Sequence, residues 1–428
     1  MKLMSFVICL FLVSGFTFGE PTESREWVSS TGSKVIGSAL SVNGGKVVLK
    51  LDSGRELPVP LDKLSDADRE FLTKHFGEKA MSGEVAATGS EAELITDGLA
   101  QKIGEVVGPI DAGEGSSYFL YIPKTLRKGR LAPMMQVNDA GGGKAGSLKS
   151  FIEGAEVCGW VLVASVESKN GQTTGQNFQY TKSNVKHITE TLPVDPKRVY
   201  FTGVSGGGAM SFFNAATLPG AGSIPQIGYI PDNAVPKSGD HMVCSGATDF
   251  NRYGSGGAVK LIGKGAIHRL YVGGHIGAPD WLRVEGILWL NGRFLAKDKR
   301  SGDLAAQCLD YEAGMIEWIQ KLSATEPHRA YYWCVFLKNE YKISGENATA
   351  LSAITTKLAA DSKNVSYVEG IEAISEFSDK HYSQGGGSAY NHSTPKMVSD
   401  SEKLVQKYAG VPMIADIVAE LGKPTIGK

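Results

Sequence analysis

Cysteine is scarce in this chain. Five occur in 428 residues, and with Cys9 inside an apolar stretch near the start the rest are Cys158, Cys244, Cys308 and Cys334. So sparse a set excludes a disulfide framework, even in an oxidising compartment. Cys158 and Cys244 sit in apolar strand-like runs and read as core residues. Cys308 and Cys334 lie in neighbouring helical segments, where a pairing stays open. No cysteines have C-x-x-C spacing and no histidines have H-E-x-x-H spacing, so neither metal nor cofactor is expected. Charge of one sign is lacking too: 44 Lys and Arg stand against 45 Asp and Glu. A formal charge of -1 gives no reason to expect a nucleic-acid partner or an anionic membrane surface. No 34-residue repeat is present. Residues 1–19 hold a basic start (Lys2), the apolar run FVICLFLVSGF and small residues before Glu20. The run is too short to span the roughly 30 Å hydrocarbon layer comfortably. It reads as a signal peptide, which implies a secreted or periplasmic protein.

Against these absences stands one rich stretch, VYFTGVSGGGAMSFFNAA at residues 199–216. Val199-Tyr200-Phe201 is β-branched and aromatic, the Gly203-Val204-Ser205-Gly206-Gly207 turn has the form G-x-S-x-G, and the residues after it are apolar at helical spacing. With 53 glycines in the chain a chance G-x-S-x-G is easily met, so the flanking strand and helix carry the weight. A glycine-rich turn of this kind could instead cradle a phosphate, but it has neither the P-loop Lys-Ser/Thr nor the dinucleotide glycine spacing. It reads as a nucleophile elbow, with Ser205 in a strained conformation that aims its hydroxyl into a cleft.

The length suggests about three domains of roughly 150 residues. Residues 20–76 carry short strands around Asn43-Gly44-Gly45 and Asp52-Ser53-Gly54, then a helix that Ser65 can cap, and predict a small β-barrel with a terminal helix. Residues 77–94 are small, polar and aperiodic, as in a linker. Residues 95–297 alternate apolar strands (SYFLYIPKTL, APMMQVND, WVLVASVES, LPVDPKRVYFTG, HMVCSGATD) with helical segments, implying a mostly parallel α/β sheet covered on both faces. Residues 298–428 have helical periodicity throughout, with Pro327 suited to a helix start and Gly385-Gly386-Gly387-Ser388 read as a loop. They predict a separate α-helical C-terminal domain.

Two resemblances attach to these segments. Arg25-Glu26-Trp27, the glycine at 32, the D-x-G turn and the closing L-S-x-x-D resemble the SH3-like homology domain first described in yeast endocytic adaptors. Its eukaryotic members bind short peptides. That resemblance leaves two roles open for this unit: a peptide or surface partner, or structure and tethering with Trp27 in the core. DPKRVYFTGVSGGGAM resembles the α/β-hydrolase superfamily, within it the secreted esterases related to polyhydroxybutyrate depolymerases, feruloyl esterases and dienelactone hydrolases. The likeness implies a fold and a reaction class, not a substrate.

A serine needs an imidazole to take its proton and a carboxylate to orient that imidazole, in the chain order Ser, acid, His. After Ser205 come His241, His268, His275, His328, His381 and His392. His275 is the expected base, because an apolar strand runs into Gly273-Gly274 just before it, as in the family's G-G-H loop. Asp249 is the expected acid, at the end of HMVCSGATD and matching the family's G-x-x-D-x-N. Asp280 is the alternative and Asp240 lies at the wrong strand end. The oxyanion hole should combine the amide of Gly206 with one from Ala140 or Gly141. Where relatives carry His-Gly, this chain has Asn138-Asp139, and an anionic Asp139 beside a developing oxyanion would be harmful. These residues predict a serine hydrolase cleaving carboxylic esters, of small molecules or of polymers. The competing reading is a catalytically impaired hydrolase-fold binding or adaptor protein.

Overall fold

The computed structural model describes residues 21–43, 46–76, 81, 89–90, 92–218, 220–297, 303–383 and 393–425. The expected leader, Gly44-Gly45, most of the expected linker, Gly385-Gly386-Gly387-Ser388 and His392 lie outside them. Two compact units divide the chain, Met1–Ala86 and Ala87–Lys428.

The first unit is a four-stranded antiparallel sheet in the order β1 (Arg25–Val28), β2 (Lys34–Asn43), β3 (Lys46–Leu51) and β4 (Glu56–Pro60), followed by helix α1 (Asp66–Phe76). Strand β3 alternates as a half-buried strand should, with Val47 and Leu49 inside and Lys46 and Lys50 in water. Ser65 accepts from the Asp68 amide at the start of α1. The buried Asp68 carboxylate in turn accepts from Arg25 and from the Val28 amide, tying helix to sheet. Trp27 is a core residue, its ring N–H donating to the Gly37 carbonyl at 2.8 Å.

The second unit is built on an eight-stranded mixed sheet. Its strands are β5 (Val106–Gly113), β6 (Ser116–Tyr121), β7 (Ala132–Asn138), β8 (Val161–Ser165), β9 (Val194–Val204), β10 (Gly222–Gln226), β11 (Asp240–Gly246) and β12 (Ala266–Tyr271). They lie in the order β12-β11-β10-β9-β7-β8-β6-β5, where β6 runs antiparallel to β5 and β8 and all other neighbours are parallel. Every residue of β7, β8, β10 and β11 is buried, so these strands show no polar alternation. Helices cover both faces. On one, Met135, Leu162, Tyr200, Ile224, Met242 and Cys244 pack against α2 (Ile152–Cys158) and α6 (Asp280–Lys297). On the other, Met134, Val161, Val199 and Phe201 pack against α3 (Thr174–Thr191) and α4 (Gly206–Thr217). Helix α5 (Arg252–Ile262) adds Ala258 and Val259 against Val243.

The remaining α-helices among the described residues are α7 (Asp303–Ser323), α8 (Pro327–Phe336), α9 (Glu346–Ala359), α10 (Ser362–His381), α11 (Pro395–Lys407) and α12 (Ile414–Leu421). The expected boundary at residue 297 separates no compact unit. Helix α6 is buried through consecutive residues from Val284 to Gly292, so it is covered on the side away from the sheet as well. That cover is Tyr311, Met315 and Ile319 of α7 with Trp333 and Phe336 of α8, in one continuous core. Helices α10–α12 close a second cluster over Leu270 of β12 and Ala247 just past the end of β11. Cys308 and Cys334 are buried within the first core as free thiols. Buried charges are paired across the seam: Glu285 of α6 holds Arg329 of α8 at 2.8 Å and Arg269 of β12 at 3.5 Å. Among the described residues no helix is long and apolar enough to cross a membrane.

His268 of β12 bridges the same seam, between the hydroxyls of Ser245 (2.7 Å) and Ser378 of α10 (2.6 Å). Burial lowers its pKa from the ordinary 6.5 to about 3, so the folded protein keeps it neutral where an unfolded chain binds a proton. The contribution is intact above the ordinary value and is lost as pH falls from there toward the folded one. Urea titrations between about pH 7 and pH 4 should show stability falling through this window, and His268→Gln should flatten the fall. Equal slopes in both proteins would contradict it.

Candidate active site

Strand β9 ends at Val204 and helix α4 starts at Gly206, leaving Ser205 alone in the turn with φ 58° and ψ -114°. A non-glycine residue stays there only when its surroundings over-determine it. Here the Ser205 amide donates to the Gln226 carbonyl (3.0 Å) and its own carbonyl accepts from Ala209 (3.0 Å). The turn is also pressed against β7. A Cβ at Gly203 or Gly207 would collide with the Asn138 carbonyl oxygen, so close approach, not only backbone freedom, requires glycine.

The Ser205 hydroxyl meets His275 Nε2 at 2.9 Å, and His275 Nδ1 meets Asp249 Oδ1 at 2.9 Å. The three side chains come from three loops beyond the strand ends: the elbow after β9, the loop after β11, and the loop after β12. The 26 residues from Asp249 to His275 hold α5 and β12. The imidazole is 21% exposed and the Asp249 carboxylate 0%, so substrate can reach the first but not the second. Burial pushes the Asp249 carboxyl above its ordinary range, against hydrogen bonds from His275 and the Asn251 amide that favour the anion. With Asp249 ionised, His275 carries its proton on Nδ1 and leaves Nε2 free to accept from Ser205. Such a line can activate a hydroxyl for attack on a carbonyl.

The other candidates lie elsewhere. Asp240 opens β11 at the far end of the sheet, paired with Arg293 and Lys297. Asp280 is exposed and faces Arg283 at 3.8 Å. His241 is buried against Ser223, at 2.8 Å, and His268 against Ser245 and Ser378. Both pack inside the sheet rather than at its surface. His328 lies in α8 and His381 ends α10 beside Asp400.

In the loop after β7, the Asp139 carboxylate is occupied by its own turn. It accepts from Ser147 Oγ (3.1 Å) and from the Gly141 amide (3.4 Å), which engages one of the expected oxyanion donors. Among the described residues the amides of Gly206 and Ala140 donate no hydrogen bond, which leaves those two able to serve an oxyanion.

Three residues around the site had no signal strong enough to single them out in the sequence. Phe250 stacks on the His275 ring, 4.1 Å between centroids at 26°. Gln226, at the end of β10, holds Ser205 through its carbonyl and the histidine loop through its side chain, which accepts from the Ala278 amide (3.0 Å). Asn170 donates its amide to the Ala140 carbonyl (2.9 Å) and lays its carboxamide where a Gly206 Cβ would point. The Asn170-Gly171 dipeptide marks a turn but says nothing of what that turn faces.

No family profile and no curated protein matches the sequence. Among solved structures, an S-formylglutathione hydrolase from Staphylococcus aureus is similar over 41% of this chain and 92% of its own, at 12% identity and TM-score 0.35. An esterase from Pyrobaculum calidifontis covers 51% and 87%, at 14% identity and TM-score 0.36. One from the planctomycete Thermogutta terrifontis covers 48% and 92%, at 16% identity and TM-score 0.34. At such scores the likeness carries no argument about chemistry. The mixed eight-stranded sheet with helices on both faces is an α/β architecture.

The packing of the elbow on β7 makes a direct prediction. Gly207→Ala must displace the Asn138 carbonyl and should cost about 1–3 kcal/mol or more, read as a lower urea midpoint. An unchanged midpoint would contradict the close approach.

Proposed function

We propose that the protein is a serine hydrolase that cleaves carboxylic esters through an acyl-enzyme on Ser205. The observation that carries this reading is the unbroken line Asp249–His275–Ser205, with both hydrogen bonds at 2.9 Å and the acid fully buried. His275 Nε2 takes the hydroxyl proton as Oγ forms its bond to the ester carbonyl carbon, and the amides of Gly206 and Ala140 receive the negative oxygen. The tetrahedral adduct expels the alcohol, which leaves with the proton from His275. Water then attacks the acyl-enzyme by the same steps in reverse order, releasing the acid and restoring Ser205. Asp249 holds the Nδ1–H tautomer and stabilises the imidazolium of each step. Each step uses side chains and amides of this chain together with water.

The placement of Asp139 favours this reading over the impaired one, since its carboxylate accepts from Ser147 and Gly141 of its own loop. We further propose export, on the leader-like residues 1–19, and an SH3-like identity for the first unit with Trp27 as core. A tethering role suits a unit whose large aromatic is spent on its own interior.

Steady-state hydrolysis of p-nitrophenyl acetate tests the chemistry. Ser205→Ala should lose on the order of 10⁴–10⁶-fold in kcat and Asp249→Asn about 10⁴-fold, each folded as wild type. Hydrolysis by Ser205→Ala at the wild-type rate would overturn the proposal.

A further inference from the structure

The histidine loop is held by contacts outside the Asp249–His275–Ser205 line. Strand β12 ends at Tyr271, and the next residues, Val272-Gly273-Gly274, deliver His275. Gly273 has φ +131°, a conformation open to glycine and strained for other residues, so the peptide needs partners to stay in register. Its carbonyl accepts from the Thr248 amide (3.0 Å), one residue before the acid, and the backbone of Gly246 packs directly on the carbonyls of Gly273 and Gly274. Its N–H donates to Glu420 Oε2 at 2.8 Å. Glu420 lies 147 residues further along the chain, in the last turn of α12.

An acid in the last turn opposes the helix dipole, so nothing within α12 favours it there. The helix itself is firmly seated. Ile414, Ile417, Val418 and Leu421 are buried in the cluster that includes Ala247 and Leu270. Tyr382 donates to the Leu421 carbonyl (2.9 Å), and Arg252, in the first turn after the acid loop, donates to the Lys423 carbonyl (3.0 Å) and to the Ala247 carbonyl (2.5 Å). A rigid support thus presents one carboxylate oxygen to the peptide two residues before His275.

We propose that Glu420 is a positioning residue: its carboxylate fixes the Gly273 peptide and so holds His275 between Ser205 and Asp249. This gives the C-terminal helices a part in the chemistry, one that rests on the esterase reading for its catalytic consequence. Misplacement of a general base by a fraction of an ångström costs rate rather than binding.

The test uses the full chain with Glu420→Ala and Glu420→Gln, and two readouts. Glu420→Ala should lower kcat about 10–100-fold at nearly unchanged KM. It should also broaden or abolish the NMR resonance of the His275 Nδ1 proton. Glu420→Gln keeps an oxygen acceptor and should retain both. A folded Glu420→Ala with wild-type kcat and an intact resonance would overturn the proposal, as would a Gln variant as impaired as the Ala one. Should Glu420→Ala not fold, hydrogen exchange in wild type decides, since fast exchange at the Gly273 amide is incompatible with the bond. A wild type without esterase activity sinks the proposed function, while the His275 resonance still decides the positioning.

Discussion

The structure turns on the strained backbone of Ser205. A positive φ on a non-glycine residue costs on the order of 1–3 kcal/mol, and it persists only where neighbours leave no alternative. Here those neighbours are the Asn138 carbonyl, which fills the space beside Gly203 and Gly207, and the Gln226 carbonyl, which takes the Ser205 amide. Asn138 ends β7 and Gln226 ends β10, the strands on either side of β9. The turn is therefore clamped by the sheet itself. Asn170 links the Ala140 loop to the first turn of α4, through its backbone amide on one side and its carboxamide on the other.

The helices that follow α6 extend this logic to the other two side chains. Sheet edge β11–β12 carries the loops of Asp249 and His275, and in place of open solvent it meets α10–α12. His268 to Ser378, Arg252 to Lys423 and Gly273 to Glu420 are polar ties laid across an apolar contact. Buried hydrogen bonds of this kind specify one arrangement of an interface that hydrophobic burial alone would leave free to slide, although Arg252 Nε itself is buried without a hydrogen-bond partner.

How legible each part was in the sequence follows from how local its cause is. The elbow, its strand and its helix lie within one stretch from Val194 to Thr217, so pattern and turn chemistry exposed them together. Strands β7, β8 and β11 read as apolar runs because both faces are buried. Strand β10, Gly222-Ser223-Ile224-Pro225-Gln226, was invisible for the opposite reason: its composition is that of a turn, and its place between β9 and β11 is imposed by its neighbours. Gly108-Pro109 likewise hid β5. Periodicity marked the C-terminal helices but not what their apolar faces cover, so a region that shares the core of α6 read as a separate domain. Phe250, Asn170 and Glu420 act through contacts distant in sequence or dependent on packing, which a single chain does not display.

The most direct measurement on the central claim is covalent. Folded wild-type protein is incubated with a fluorophosphonate, digested, and mapped by mass spectrometry. One adduct is expected, on the peptide containing Ser205, and none after His275→Ala. Folded protein that carries no adduct, or carries it on another serine while Ser205 stays free, would contradict it.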